Sequence, residues 1–324
     1  MLKGVHPSVR FGTTSDRYAG WIGQVYPESY RERTSSRRRR LGGASYVEET
    51  VPVDSVAHYF DHFDVLEVDY TFYAPLLNEG APSRTLHTLR RYADHLPDGA
   101  LVFVKAPQVF SAPALGRGAS RDENPRYLDA VGYERDFLAP LERTLGPHLG
   151  GVIFEQEYRR AAEAPSPEAF VDELAPFVAA LPAGTPHHLE IRTPSLLSPV
   201  VHSFLREEGI GAVFSHWTWL PPLREQVAST GARFSSSDGN VVVRLLTPLR
   251  TRYADAYAAT HPFDAPVPEL VASRGTRRMI EDAARIAALA AEAGAVVNVF
   301  SNNRAYGNAP SLAAEVARAA LEVL

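Results

Sequence analysis

Eight short runs rich in β-branched and aromatic residues recur along the chain, and longer stretches with helical periodicity separate them. Strands that alternate with helices form βαβ units and predict a parallel sheet. Eight such units without a break in composition predict a closed (β/α)8 barrel, the TIM-type α/β fold. The predicted strands cover residues 9–14, 65–71, 101–106, 150–156, 187–192, 211–216, 240–246 and 296–302.

All 324 residues are expected to form this single barrel domain. An open doubly wound sheet is the alternative, and it is disfavoured because no glycine-rich dinucleotide fingerprint follows the first strand. Two segments interrupt the rhythm, namely residues 27–50 after the first strand and residues 111–127 after the third. Both are predicted to be long loops, and loops of this length often carry function.

The composition excludes several classes of protein. A net charge of -5 argues against a protein that coats nucleic acid or an anionic membrane. The absence of cysteine rules out disulfides and thiolate zinc sites. The N-terminal stretch MLKGVHPSVR lacks the apolar run of a signal peptide, and no stretch approaches the roughly 20 apolar residues that cross a bilayer. These features predict a soluble cytoplasmic protein without a membrane partner, for which nucleic acid is not the expected ligand.

The basic residues are distributed unevenly between lysine and arginine. Only Lys3 and Lys105 are lysine among the 33 basic residues. A site that needs a compact ammonium, or an amine that can lose its proton, would keep a lysine where arginine is otherwise preferred. The run Arg37 to Arg40 is best interpreted as a solvated loop, with contact to phosphate or nucleic acid as the alternative.

Charged residues occupy the inward positions of several predicted strands. Alternate residues of a barrel strand point into the barrel, and those at the carboxyl end line the active-site mouth. In VLEVDYT the apolar Leu66 and Val68 should face the helices, so Glu67 and Asp69 should point inward. The same pattern turns a further set inward: Lys105, His188, Glu190, Arg192 and Arg244. Glu155 joins this ring only if the ambiguous phase of the fourth strand places it inside. The charges nearly balance, so a structural ion-pair network that plugs the barrel is an alternative to a site.

Motifs along nearly the whole chain resemble those of the domain of unknown function 72 family, also called YecE-like. The family pattern has GTSGW at the first strand, VEINSTFY at the second, a lysine on the third, then VEFRH.SW, VRLHG and a final FNN with a later NA. The corresponding stretches here are FGTTSDRYAGW, LEVDYTFY, FVKAPQ, LEIRTPSLL, VRLLTPLRTRY and VFSNNRAYGNAPSL. The resemblance implies a TIM-type barrel and no particular reaction, because the family is functionally undefined.

The chain departs from this family pattern at several points. Asp69 stands where the family has asparagine, and Glu155 stands where it has glutamine. The compact GTSGW is expanded to GTTSDRYAGW. The mouth is therefore more acidic than the family pattern, which indicates a divergent member with an altered ligand or lost activity.

The first functional hypothesis is an enzyme that acts on a small polyhydroxy or phosphorylated compound. Glu67 and Glu190 are predicted to divide the acid and base roles, and Lys105 to stabilise an oxyanion or form an imine. Arg192 and Arg244 are predicted to bind an anionic group of the ligand bidentately. Further substrate contacts are expected from Asp69, Tyr73, Asn302, Asn303 and Gly307. The last three lie before the final helix, and a helix N-terminus after the eighth strand commonly binds phosphate in this fold.

Two other hypotheses remain open. Glu67, Asp69, Glu155 and Glu190 offer oxygen ligands for magnesium or manganese, so metal-assisted hydrolysis, including that of nucleic acid, is the second. A zinc site is harder to build, because His188 and His216 are the only histidines near predicted strand ends. Apart from such a divalent metal, no cofactor is expected. The third hypothesis is a non-catalytic barrel that binds anions, because a fold does not by itself establish catalysis.

Overall fold

The computed structural model describes residues 2–117 and 120–324. Eight parallel strands close into a barrel in chain order around its axis, which confirms the predicted (β/α)8 fold. The strands are β1 (Val9–Thr14), β2 (Val65–Val68), β3 (Leu101–Lys105), β4 (Leu149–Glu155), β5 (His187–Glu190), β6 (Gly211–His216), β7 (Asn240–Leu245) and β8 (Val296–Ser301). The second and fifth strands end earlier than predicted, at Val68 and Glu190.

Helices cover the outer face of the barrel, and the apolar residues of the strands pack against them. The barrel helices are α1 (Val56–His62), α2 (Arg84–Ala93), α3 (Ala139–Leu145), α4 (Pro167–Ala179), α5 (Pro199–Glu207), α6 (Leu223–Ser229), α7 (Arg274–Glu292) and α8 (Ala309–Leu321). Serine or asparagine side chains cap several of them, as Ser83 does for α2 and Asn308 for α8. In the described part of the chain, no helix combines the length and the apolar character that a bilayer span requires.

Two short helices and a helical extension complete the outer layer. Tyr253–Thr260 and Pro268–Ala272 follow β7. The helix Ala130–Tyr133 and a π-helical turn lead directly into α3. The helix Tyr253–Thr260 matters for the site, because it lies beside the carboxyl ends of the strands.

The segment after β1 is not the predicted loop but contains a β-hairpin. Strands Ser35–Leu41 and Ala44–Thr50 pair antiparallel, and Gly42 and Gly43 form the turn between them, both with positive φ. A Gly-Gly pair with positive φ at both positions is a favoured two-residue hairpin turn, so the sequence did carry this signal. The run Arg37 to Arg40 therefore lies on a strand, where alternate arginines face opposite sides.

The segment after β3 differs from the prediction in the same way. Strands Ala114–Arg117 and Ser120–Glu123 pair antiparallel there. Residues 118 and 119 of the predicted loop lie outside the described residues.

Candidate functional site at the carboxyl ends of the strands

An apolar layer fills the middle of the barrel. Its members point inward from six different strands: Val65, Phe103, Ile153, Val213, Val242 and Phe300. Because side chains of a strand alternate, the residue two positions later on each strand also points inward, one level closer to the carboxyl end. That next level holds Glu67, Lys105, Glu155, Ser215 and Arg244. The structure thus places Glu155 inside the barrel and resolves the ambiguous phase of β4.

Arg244 forms the centre of a buried ion-pair network on this level. Its Nε and Nη2 atoms donate to the two carboxylate oxygens of Glu67 over 2.8 and 2.6 Å. Its Nη1 atom donates to Glu190, which also accepts a hydrogen bond from the Ser215 hydroxyl. Arg244 is 2 % exposed, and Glu67 and Glu190 are fully buried. Arg244 therefore binds Glu67 through two parallel hydrogen bonds and Glu190 through one charge-assisted hydrogen bond, all away from solvent.

The outer edge of the network is formed by Lys105, Glu155 and Arg192. Lys105 Nζ and Arg192 Nη2 approach the same Glu155 oxygen, at 2.5 and 2.7 Å. Arg192 also bonds Glu190 over 2.9 Å. Aromatic rings cover the two cations, Phe72 above Lys105 and Trp217 above Arg192. Three acids and three bases are thus interlocked, which offsets the cost of burying them.

The pKa values of the network reflect burial and pairing together. Burial alone would raise the pKa of Glu155, but Arg192 and Lys105 lower it to about 2. The same opposition lowers the pKa of Glu190, where Arg192 and Arg244 outweigh burial. Burial raises the pKa of Glu67 although the Arg244 guanidinium acts in the opposite sense.

The structure therefore brings together Glu67, Lys105 and Glu190, the residues predicted to be catalytic, with Arg192 and Arg244. The two arginines were expected to bind an anionic ligand, yet both form ion pairs with carboxylates of the protein. Lys105 bonds Glu155 rather than Glu67. These contacts favour the alternative in which most of the ring is a structural network.

Asp69 does not belong to this ring, contrary to the sequence prediction. Strand β2 ends at Val68, and a 3-10 helix over Tyr70–Tyr73 follows, so Asp69 leaves the inward pattern. Its carboxylate accepts a hydrogen bond from the Ser15 hydroxyl over 2.5 Å. Tyr73, another predicted contact, is 80 % exposed. Both residues instead line a separate cleft beside the barrel mouth.

The predicted anion-binding loop after β8 uses its polar groups mainly for structure. Asn302 Oδ1 accepts from the backbone of Arg304, and Asn303 Oδ1 accepts from Trp21 Nε1 and from the N–H of Ala309. Gly307 has a φ of +102°, and a Cβ there would lie 2.5 Å from the Ala265 carbonyl oxygen. Gly307 is therefore required by the backbone, and only Asn303 of the three predicted contacts lines the cleft.

The cleft has a volume of about 1060 Å³ and lies between the barrel mouth and the 35–50 hairpin. Glu48 of the hairpin pairs with Arg37 and Arg39 and accepts a hydrogen bond from Tyr257 over 2.7 Å. Arg39 also donates to the hydroxyl of Tyr253 over 2.9 Å. These bonds hold the hairpin against helix Tyr253–Thr260, so that the hairpin forms one wall of the cleft.

Asp16 is the most unusual titratable group in this cleft. It follows Ser15, whose φ of +64° turns the chain sharply at the end of β1. Asp16 is 2 % exposed, and Tyr92 of α2 donates to its Oδ1 atom over 2.6 Å. Its Oδ2 atom is buried and has no hydrogen-bond partner. Burial, with a smaller contribution from Asp69, raises the pKa of Asp16 to about 6.

Asp16 was missed by the reasoning from sequence. The residue lies beyond the end of β1, so the alternation rule assigned it no direction. The available signal was the expansion of the family-like GTSGW to GTTSDRYAGW, because the added stretch contains Asp16 and Tyr18 and both line the cleft.

The acidic residues do not assemble as metal ligands. Among residues 2–117 and 120–324, no group of three or more histidine, aspartate or glutamate side chains could hold a metal ion. The four carboxylates considered for magnesium are divided between the network and the cleft. His188 points into the apolar layer beside Phe103, and His216 bonds the Thr247 carbonyl oxygen.

Comparisons with known proteins agree with the fold. The model of the family described as protein of unknown function DUF72 matches residues 35–323. A DUF72 family protein from Thermotoga maritima MSB8 superposes with a TM-score of 0.52 at 16% identity, covering 97% of this chain and 99% of that chain. One from Enterococcus faecalis V583 superposes with a TM-score of 0.54 at 15% identity, covering 97% and 95%. The curated proteins include no match. At such identities these structures support the fold alone.

Proposed function

This chain belongs to the DUF72 family of proteins of unknown function, and we propose that it is an acid–base enzyme acting on a small polyhydroxy compound in this cleft. Asp16 is the proposed proton donor and Asp69 the proposed proton acceptor. The proposal keeps the carboxylate chemistry expected from the sequence but moves it from the buried ring to the cleft. The single observation that carries it is the buried, half-satisfied carboxyl group of Asp16.

Several features of Asp16 support a role in proton transfer. Ionisation of a buried carboxyl with one unpartnered oxygen is unfavourable, because no donor or water replaces the hydration of the charge. A pKa of about 6 leaves the group protonated in weakly acidic solution and able to release its proton near neutrality. Tyr92 fixes Oδ1, so the proton is expected on Oδ2.

Asp69 is suited to the complementary role. It is only partly buried and accepts a hydrogen bond from Ser15, whereas Asp16 is almost completely buried. Two carboxyl groups in unlike environments can act as acid and base at the same pH. Ser15 adopts a left-handed conformation and immediately precedes Asp16, and its hydroxyl bonds Asp69. All three residues line the cleft.

The walls of the cleft indicate the class of substrate. Tyr18, Tyr73 and Tyr253 provide aromatic faces and hydroxyl groups, and most other lining residues are polar. A pocket that mixes aromatic rings with hydrogen-bonding groups suits a small compound with apolar ring faces and several hydroxyls. The volume of about 1060 Å³ leaves room for such a compound.

The other hypotheses have less support. Catalysis by Glu67, Lys105 and Glu190 would require breaking the ion pairs that hold them, which would leave buried charges without a partner. Metal-assisted hydrolysis would require a converging set of ligands, which the described residues do not provide. A non-catalytic barrel that binds ligands in the same cleft is the second candidate, and only turnover distinguishes it from an enzyme.

The test is to incubate the protein with aldoses, polyols, sugar lactones and glycosides and to follow each compound by proton NMR. Wild type should convert at least one compound, with a rate that falls as pH rises above about 6, because Asp16 then loses its proton. Asp16→Asn and Asp69→Asn should each lower that rate about 100-fold or more. Asp61→Asn, on the exposed side of α1, makes the same change away from the cleft and should retain the wild-type rate. Wild-type turnover by Asp16→Asn would refute the assignment.

A further inference from the structure

The cleft contains a guanidinium group that the protein itself does not pair. Within the described ranges, Arg304 donates a side-chain hydrogen bond to no residue, and no carboxylate lies within ion-pair distance. Its Nε atom is buried without a partner. The Arg304 Cζ atom lies over the Tyr253 ring, 4.5 Å from its centroid. This cation–π contact positions the group and leaves its donors for another molecule.

Three other arginines of the cleft form ion pairs with carboxylates of the protein, and a fourth bonds the backbone. Arg37 and Arg39 share Glu48, and Arg31 pairs with Glu28. Arg17 Nε donates to the Val51 carbonyl oxygen over 2.7 Å. The ion pairs of Arg31, Arg37 and Arg39 lower the tendency of these side chains to attract an anion, because part of their charge is already balanced.

A second donor beside Arg304 is also unused. Asn303 is 1 % exposed, and its Oδ1 atom accepts from Trp21 and from Ala309. Two donors on one oxygen fix the orientation of the amide, so its Nδ2 group points the other way. That Nδ2 atom is buried and has no partner in the described part of the chain, although Asn303 lines the cleft. An unpaired buried donor is costly and indicates a missing acceptor.

We infer that Arg304 and Asn303 bind an oxyanion, a phosphate or carboxylate group, carried by the compound that occupies the cleft. This inference rests on the proposed function for the identity of the cleft as the reaction site, and it assigns the substrate an anionic group. The guanidinium provides the charge and a planar pair of donors, and the asparagine amide provides a neutral donor. The assignment replaces Arg192 and Arg244, which are already ion-paired with Glu67, Glu155 and Glu190.

The acids of the cleft form no ion pair with Arg304 among the described residues. Asp69, Tyr18 and Arg304 all line the cleft. Glu48 is neutralised by its two arginines. The anionic group is therefore expected near Arg304, with the hydroxylated part of the compound toward Asp69 and Asp16.

The experiment is calorimetric titration with inorganic phosphate, glucose 6-phosphate, gluconate and glucose as probes. Wild type should bind one or more of the anionic probes and bind glucose at least tenfold more weakly. Arg304→Gln should weaken the anionic probe about tenfold or more, because a charge-assisted hydrogen bond is lost. Arg304→Lys keeps the charge without the planar fork and should show a smaller loss. The preferred probe distinguishes a phosphate from a carboxylate as the recognised group.

Arg38→Gln is the matched control, since it removes the same charge from the hairpin at a residue that does not line the cleft. It should bind the anionic probe as wild type does. Equal binding by wild type and Arg304→Gln would overturn the inference, as would a wild type that binds none of the anionic probes. Asp16→Asn separates the two proposals: it should abolish turnover and keep anion binding. If anion binding depends on Arg304 while no compound is turned over, the anion site stands and the proposed reaction fails.

Discussion

The interior of the barrel and the cleft beside it both collect acids and bases at the carboxyl ends of strands, but the interior pairs its charges more completely. Each acid and base of the network forms at least one ion pair with another member. In the cleft, Asp16 keeps an oxygen that has no partner among the described residues, and Arg304 forms no ion pair with any of them. Location at a strand end therefore does not distinguish a functional charge from a structural one. The partners of the charge do.

The largest expected effect comes from removing the central base of the network. Arg244→Met leaves Glu67 and Glu190 buried without their main partner and should lower the free energy of unfolding by about 3–5 kcal/mol. Arg304→Met, the matched change in the cleft, breaks no ion pair and should cost less than about 1 kcal/mol. Urea denaturation at neutral pH measures both. Similar losses in the two variants would show that the network and the cleft do not differ in this way.

An intermediate effect is expected from the buried acid of the cleft. The pKa of Asp16 is raised to about 6, so the folded protein holds this proton more tightly than the unfolded chain does. The stabilisation of the folded state by this tighter proton binding is therefore complete below about pH 4, and it disappears as pH rises through about 6.

Asp16→Asn has no such proton to lose. Its free energy of unfolding, relative to wild type, should rise by about 2–3 kcal/mol between pH 4 and pH 7. Denaturant midpoints at several pH values measure this difference, with Asp61→Asn on the exposed side of α1 as the control. If the difference in unfolding free energy between Asp16→Asn and wild type does not change with pH, the pKa of Asp16 is not raised by burial.

The smallest effect is expected at Asp69, which the sequence placed beside Glu67 on one face. Asp69→Asn keeps an oxygen that accepts from Ser15 and breaks no ion pair, so it should change the free energy of unfolding by less than about 0.5 kcal/mol. Glu67→Gln removes a charge that Arg244 contacts twice and should cost about 1–3 kcal/mol. Thermal denaturation of the two variants side by side tests the distinction. Equal tolerance would place both residues in the same environment.

Local pattern was sufficient to predict the barrel and the inward direction of most of its charges, with Asp69 as the exception. Each of the eight strands was predicted within a few residues, because alternating polarity and helical periodicity are local properties. The same alternation predicted that Lys105, Glu67 and Glu190 converge. The hairpin at residues 35–50 was missed because the arginine run outweighed the Gly42–Gly43 turn signal that separates its two strands.

The function of each charge depended on contacts between residues far apart in the chain. Glu67 is satisfied by Arg244, which lies 177 residues later, and no local pattern predicts that pairing. Burial raises the pKa of Asp16, and the hydrogen bond from Tyr92, 76 positions away, acts in the opposite sense. Alternation along the strands was enough to point Glu67, Lys105, Glu190 and Arg244 toward the mouth of the barrel, because side-chain direction on a strand is a local property. Which charges are paired and which stay available to a ligand depended on the folded structure, because desolvation and pairing act through neighbours in space.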